Sequence, residues 1–282
     1  MSTTVTEASF TNTRGLKIYT REYIPSTEFK TVFLFLHGVG EHCSRFEDFF
    51  QNLANSSIAV FAMDHQGHGK SEGERWDIDC FEHFLDDVSQ FTGIIRNRFA
   101  DRQLKYTIGG ISFGGLLAAN IASMTEFTWD GVLLLAPAIG VELNSVLKVQ
   151  QSMAPLINKL VPKWKLVPAV IHDNLSRNKE FLKDYDEDAL NSHGNLRVRL
   201  AYEISRGMEI LKEREQNMTA PLLILHGDKD LVTSPRISKE FYDRVPSSQK
   251  SYRSLPGQFH CIVNEPEREE NIAIMNDWLN AL

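Results

Sequence analysis

The residues most able to do chemistry lie in one short run, Gly110-Ile111-Ser112-Phe113-Gly114. A serine hydroxyl becomes a nucleophile when a tight turn presents it and a base stands ready to take its proton. Such a turn needs small residues on either side of the serine, because a Cβ there would clash inside the bend. The strand-like residues 106–109 precede it and a helical run over 113–124 follows. In chains built on this strand–serine–helix elbow, an acid and then a histidine come later in the sequence. Asp228 and Asp230 follow the apolar run 222–225, and His260 follows 250–255. These residues alone do not choose between the two aspartates. The oxyanion of an acyl-transfer intermediate needs two backbone N–H donors. Phe113, directly after the serine, offers one, and Val39 in His37-Gly38-Val39-Gly40 offers the other.

The elements that must carry these groups are readable from periodicity. Residues 8–12 and 16–23 flank a Gly-containing gap and predict a hairpin. Short apolar runs at 31–36, 58–63, 106–109, 131–136 and 222–225, with a more polar one at 250–255, predict strands, several of them buried on both faces. Between them, Phe81, Phe84, Leu85, Val88, Phe91, Ile94 and Ile95 form a helical stripe, with Asp79 placed to cap it and Glu82 three residues on. Ser234-Pro235 predicts a helix start, and Ile272, Met275, Trp278 and Leu279 predict a closing helix. Alternating strands and helices imply an α/β fold with a mostly parallel, doubly wound sheet.

The alternation stops once. Residues 137–217 show no convincing strand, and about 80 residues is far too long for an ordinary connection. The expectation is a core of 1–136 and 218–282 interrupted by an inserted helical lid. Its first half mixes Val141, Leu143, Val146, Leu147, Met153, Leu156, Ile157, Leu160, Trp164, Leu166 and Val167 with Lys148, Lys159, Lys163 and Lys165. Apolar residues rimmed by lysine suit a roof over an acyl pocket, and they also suit transient contact with a membrane surface.

Composition narrows the function classes. Thirty basic against 37 acidic side chains give a net charge of −7, which argues against nucleic acid as a partner. No apolar run approaches the roughly 20 residues of a spanning helix. The polar start of the chain lacks signal-peptide character, and three scattered cysteines suggest neither a disulfide framework nor zinc. A cytoplasmic location, peripheral to membranes at most, is the expectation. His37, His42, His65 and His68 match no common zinc spacing, and no phosphate-binding loop is present, so neither metal nor cofactor is expected.

Taken together, His37-Gly-Val-Gly-Glu-His42 with Arg45, Asp64-His-Gln-Gly-His-Gly-Lys-Ser71, the Ser112 elbow, Gly227-Asp-Lys-Asp230 and Pro256-Gly-Gln-Phe-His260 resemble monoacylglycerol lipases and related lysophospholipases of the α/β-hydrolase fold. Ser176-Arg-Asn178 and Tyr185 extend the likeness into the inserted segment. The resemblance implies a serine hydrolase acting on a small lipid or other ester, with Ser112, Asp230 and His260 as catalytic triad. It places the acid at Asp230 and leaves Asp228 to the loop. It also implies that Glu41, Arg45 and Tyr185 grip the alcohol end of the substrate. Two positions depart: Ile111 and Val263 stand where mammalian members carry histidines, so a more apolar alcohol end is expected, one suited to other small or aromatic alcohols. Rival readings are a non-catalytic binding protein on the same fold, which has no need of all three triad residues, and a peptidase. Dehalogenases and epoxide hydrolases of this architecture use an aspartate nucleophile instead.

Overall fold

The structure, a computed structural model, describes residues 2–142, 145–168 and 170–282, with the side chains of 145–151 outside that description. Leu143 and the side chains of Val146, Leu147 and Lys148 therefore lie outside the described residues.

Ten strands are described: β1 (Thr3–Thr11), β2 (Lys17–Pro25), β3 (Thr31–Leu36), β4 (Ile58–Met63), β5 (Lys105–Ile111), β6 (Gly131–Leu135), β7 (Lys165–Val167), β8 (Leu196–Arg197), β9 (Leu222–Gly227) and β10 (Lys250–Leu255). The helices are α1 (Glu47–Asn55), α2 (Glu82–Arg98), α3 (Phe113–Ala122), α4 (Ser145–Leu160), α5 (Lys179–Glu187), α6 (Val198–Arg214), α7 (Pro235–Arg244) and α8 (Arg268–Ala281). Eight strands form one sheet in the order β1-β2-β4-β3-β5-β6-β9-β10. The β1–β2 and β2–β4 pairs are antiparallel and every later pair is parallel.

The all-apolar strands follow from helices on both faces. Alternation along β3 sends Val32, Leu34 and Leu36 into one cluster with Phe84, Val88 and Leu116 of α2 and α3. Phe33 and Phe35 enter the other, with Phe49 and Phe50 of α1 and Ile272 and Met275 of α8. Removing one such phenylalanine costs about 3–5 kcal/mol, so the central strands are held rigidly where their ends carry the chemistry.

The structure differs from the sequence expectation in two places around α2. Asp79 does not cap α2; it pairs with Arg199, and the Phe81 N–H is met instead by the Glu203 carboxylate from α6 at 2.9 Å. A partner 122 residues away replaces the local cap. Ile94, assigned to the buried stripe, is exposed: Phe84, Val88, Phe91 and Ile95 hold the buried face, and Ile94 sits one position, about 100°, off it. Ser234, by contrast, accepts from the Ile237 N–H ahead of Pro235 at the first turn, as expected.

Between β6 and β9 the chain leaves the sheet for α4, α5 and α6. Two short strands, β7 and β8, pair antiparallel there, which the sequence reading does not anticipate. Their two or three residues are too few to show a period. The last helix is not a free appendage. Its Leu200 and Leu211 join the core cluster of α2 and α3, and Asn120 of α3 donates to the Gly207 carbonyl at 3.1 Å.

Candidate active site

The elbow is forced by its neighbours. A Cβ on Gly110 would meet the backbone carbonyl of Gly114 at 2.4–2.5 Å, and one on Gly114 would meet the Leu36 carbonyl oxygen at 2.0 Å. Ser112 sits between them at φ 55°, ψ −118°, a left-handed conformation that side chains other than glycine rarely adopt. Its backbone is pinned on both sides: its N–H donates to Leu135 at 3.0 Å, and its carbonyl accepts from Ala138 at 2.9 Å. These two hydrogen bonds hold the strained residue in place at the carboxyl end of β5.

The same end of the sheet gathers the partners, where open parallel sheets place their sites. Asp230, after β9, is buried, and its Oδ2 accepts the Nδ1–H of His260 at 2.8 Å. That bond leaves His260 Nε2, the nitrogen a base needs, without a partner among the described residues. Asp228 is exposed and accepts from the Gly257 N–H at 2.7 Å, so it braces the two loops against each other.

Asp230 is held by more than one histidine. Its Oδ2 also accepts from His226 at 3.1 Å and from the Thr233 hydroxyl at 2.9 Å, and its Oδ1 accepts from the Val232 and Thr233 N–H groups at 2.7 and 3.0 Å. Burial alone would raise its pKa. The charge of His260 and the hydrogen bonds from His226 and His260 outweigh burial and hold the carboxyl well below its usual range. His226 is fully buried, and its Nδ1 meets the Ser238 hydroxyl at 2.9 Å. Sequence reasoning missed it because β9 extends to Gly227, two residues past the expected end. A histidine closing an apolar strand four residues before the acid was the available signal.

The loop after β3 brings Val39 beside the nucleophile. A Cβ built on Gly38 would lie 3.5 Å from the Ser112 Cβ, so this backbone passes directly along the serine. Gly38 N–H donates to the buried Glu41 at 2.8 Å. Burial raises the Glu41 carboxyl above its usual range against the opposing pull of Arg45. Phe113 occupies the first position of α3 with its ring buried against Phe84 and Phe81.

Arg45 and Tyr185 meet, though not as two open arms around a ligand. Arg45 pairs with Asp184 and Asp188 at 3.0 and 3.1 Å and stacks over Phe181 and Tyr185. Its charge clamps α5 to the core. Tyr185 is buried and lines a cavity of about 300 Å³ with Val39, Trp76, His172, Ser192 and Val232. Arg45 and Glu41 do not line it, nor do Ser112 and His260. Two of its lining residues neighbour the site: Val39, which follows Gly38, and Val232, whose N–H donates to Asp230.

Ile111 and Val263 are buried in the same apolar cluster beneath the sheet's end and line no part of the cavity.

The other histidines brace the loops. His37 Nδ1–H donates to the Gly38 carbonyl at 2.7 Å while its Nε2 accepts from the His65 N–H at 3.0 Å. His65 returns a bond to the His37 carbonyl at 3.0 Å, and His68 donates to Gln66 at 3.0 Å. His42 lies apart, on Asp188 at 2.8 Å. On the inserted segment, Asn178 caps α5, and the Ser176 hydroxyl and Arg177 bind the buried Glu265 just past His260. Cys261 N–H donates to Leu175 at 2.7 Å, and Ser192 N–H donates to Gly40 at 2.8 Å. The inserted segment is thus hydrogen-bonded to the loops of both His260 and Val39.

Comparison with known proteins follows this geometry. The family model described as serine aminopeptidase, S33 (Hydrolase_4) matches residues 27–267. A monoacylglycerol lipase of Mycolicibacterium smegmatis is 29% identical over 99% of this chain and 98% of its own. A monoglyceride lipase of Rattus norvegicus is 27% identical over 95% of this chain and 88% of its own. Among solved structures, the monoacylglycerol lipase of Paleococcus ferrophilus superposes with a TM-score of 0.80 at 25% identity, covering 94% of this chain and 98% of that one.

Proposed function

Since the chain belongs to the serine aminopeptidase S33 family of α/β-hydrolases, we propose that Ser112, Asp230 and His260 are the triad of a carboxylic ester hydrolase whose substrates are monoacylglycerols. The observation that carries the reading is the strained backbone of Ser112 between Gly110 and Gly114. A merely structural turn would gain nothing from holding a serine there. The likeness to monoacylglycerol lipases along nearly the whole chain supports the substrate class.

Ser112 Oγ attacks the ester carbonyl as His260 Nε2 takes its proton. His260 passes that proton to the departing alcohol, and water then repeats the cycle on the acyl-enzyme. Asp230 keeps the imidazole in the tautomer with Nδ1–H and stabilises the imidazolium. The N–H groups of Val39 and Phe113 receive the oxyanion. No step calls on a metal or cofactor. Glu41 holds the oxyanion loop through Gly38, Arg45 holds α5, and Tyr185 offers the cavity its polar contact to the alcohol.

Residues 137–217 act as a lid over this site. Met153, Leu156, Leu160, Trp164, Leu166 and Ile171 are exposed on it, beside Lys159 and Lys165. Lys163 is drawn back to Glu74 at 2.9 Å. An exposed apolar set of this size needs a surface to meet, and a lipid aggregate is the surface that delivers the substrate. No helix among the described residues is long and apolar enough to cross a membrane. Transient contact of the lid with a membrane surface needs no spanning helix.

A fluorophosphonate probe tests the reading directly, together with hydrolysis of a panel of monoacylglycerols, lysophospholipids and aromatic esters. Labelling of Ser112 and preference for monoacylglycerols are expected. No labelling of folded protein would leave a binding module, and preference for another ester would replace the substrate class. Partition onto anionic vesicles should fall when Lys159, Lys163 and Lys165 are changed to Glu; unchanged partition removes the membrane contact.

A further inference from the structure

Three side chains, two of them lining the Val39–Tyr185 cavity, take no part in that chemistry. His172 lies on the turn before α5, Asp186 on α5, and His193 on the loop beyond it. Each brings one donor atom within 4.8 Å of the other two. His172 Nδ1 lies 2.5 Å from Asp186 Oδ1, and its Nε2 lies 3.4 Å from His193 Nδ1.

The first distance fixes a tautomer. With Nδ1–H given to the carboxylate, the neutral ring of His172 carries its lone pair on Nε2, which faces His193. A carboxylate behind one imidazole nitrogen is how a metal-binding histidine is oriented and made more basic. The second distance says what fits between the rings. Two imidazole nitrogens on one tetrahedral zinc each stand about 2.0–2.1 Å from the ion, and so about 3.3 Å apart. A direct N–H···N bond would draw them nearer, toward about 3 Å. The observed 3.4 Å matches the shared ion.

The surroundings suit a cation. Asp186 and His172 are open to solvent, with side-chain exposures of 51% and 37%, so an ion can enter. The helix that supplies Asp186 carries four carboxylates against two ammonium groups. Both histidines line the cavity, and the Tyr185 ring stands 5.4 Å from His172 and 5.5 Å from His193.

We propose that His172 Nε2 and His193 Nδ1, with Asp186 behind His172, bind one zinc-class divalent ion at the cavity rim, and that the bound ion narrows the entrance. The first half rests on these distances alone. The second rests on the reading of the cavity as the substrate's.

Calorimetric titration of the full chain with Zn²⁺ tests the site. One ion per chain is expected, bound at least ~10-fold more weakly by His193→Ala and by Asp186→Asn. No saturable uptake, or equal affinity in both variants, overturns the site. Zn²⁺ should also raise the KM of the native enzyme more than that of His193→Ala; equal inhibition overturns the narrowing. If the ester reading itself were wrong, the fluorophosphonate would fail to label while calorimetry still reported the ion.

Discussion

The Asp230 carboxylate accepts the Nδ1–H of His260 at 2.8 Å, while Asp228, two residues earlier, spends its carboxylate on the Gly257 N–H. One loop thus carries two aspartates with separable tasks. Asp230→Asn presents an amide to the imidazole and favours the wrong tautomer, so kcat should fall by about 10³–10⁴-fold. Asp228→Asn keeps an amide oxygen that still accepts from the Gly257 N–H and removes only a charge at an exposed turn, so stability should change by less than about 1 kcal/mol and kcat by less than about 10-fold. Steady-state hydrolysis by the two variants settles the assignment, and the reverse ranking would overturn it.

His226 makes a second demand on the same oxygen. It is buried at the end of β9 between Asp230 and Ser238, and burial pushes its pKa down, so it donates as a neutral ring. His226→Phe keeps the volume and removes the donor. The loss of a hydrogen bond to a buried charge is worth about 1.5–3 kcal/mol. The urea midpoint should drop accordingly. With the carboxylate less firmly aimed, kcat should fall by about 10-fold at nearly constant KM. A lowered midpoint with unchanged kcat would reduce His226 to packing alone.

What could be seen in the sequence was what local pattern encodes. The Gly110–Ser112–Gly114 elbow, the apolar strands and the Ser234-Pro235 helix start each depend on neighbours a few residues away, and each stands as expected. The parallel sheet follows from alternation, and it carries Ser112, Asp230 and His260 to the carboxyl ends of β5, β9 and β10. The choice of Asp230 over Asp228 is different, because it depends on how the β9 and β10 loops face each other. Asp79 and Glu203 teach the same lesson: a local cap signal lost to a carboxylate from another helix. His226 lies just past the apolar run 222–225, on the part of β9 that the sequence pattern leaves to the loop. Arg45 matched a ligand-gripping position by motif, yet its partners Asp184 and Asp188 lie about 140 residues on, and no motif reports that commitment.

Ser112 should be both essential and costly. A residue held at φ 55° with a side chain stores strain of about 1–3 kcal/mol, and glycine adopts that region freely at some cost in unfolded-state entropy. Ser112→Gly should therefore melt at or above the native temperature, and Ser112→Ala close to it. Both should lose ester turnover. Substantial residual hydrolysis by either variant would dismiss Ser112 as nucleophile. A marked fall in the melting temperature of Ser112→Gly would show that the elbow holds no strain.

The stacked histidines behind the oxyanion loop should make the fold acid-sensitive well above the range where carboxylates titrate. Burial, with the neighbouring rings, lowers His65 from 6.5 to about 3; burial lowers His68 to about 4 and His37 well below 6.5. Each ring stays neutral in the fold and takes a proton in the unfolded chain once the pH drops below 6.5. Their contribution is therefore fully present above 6.5 and is lost as the pH falls toward the folded values. At pH 5 each costs about 2 kcal/mol. Asp230, also depressed, begins to act only below the ordinary carboxylate range, so it does not confuse this window. Urea midpoints measured at pH 7.5, 6 and 5 should decline steadily, and more gently in His65→Phe, which has one fewer ring to charge. That variant starts from lower stability, since it gives up the bond to the His37 carbonyl, so the slope is the quantity to compare. A flat midpoint between pH 7 and 5 would mean that the rings are not held neutral, and that the His37–His65 stack does not brace the loop carrying Val39.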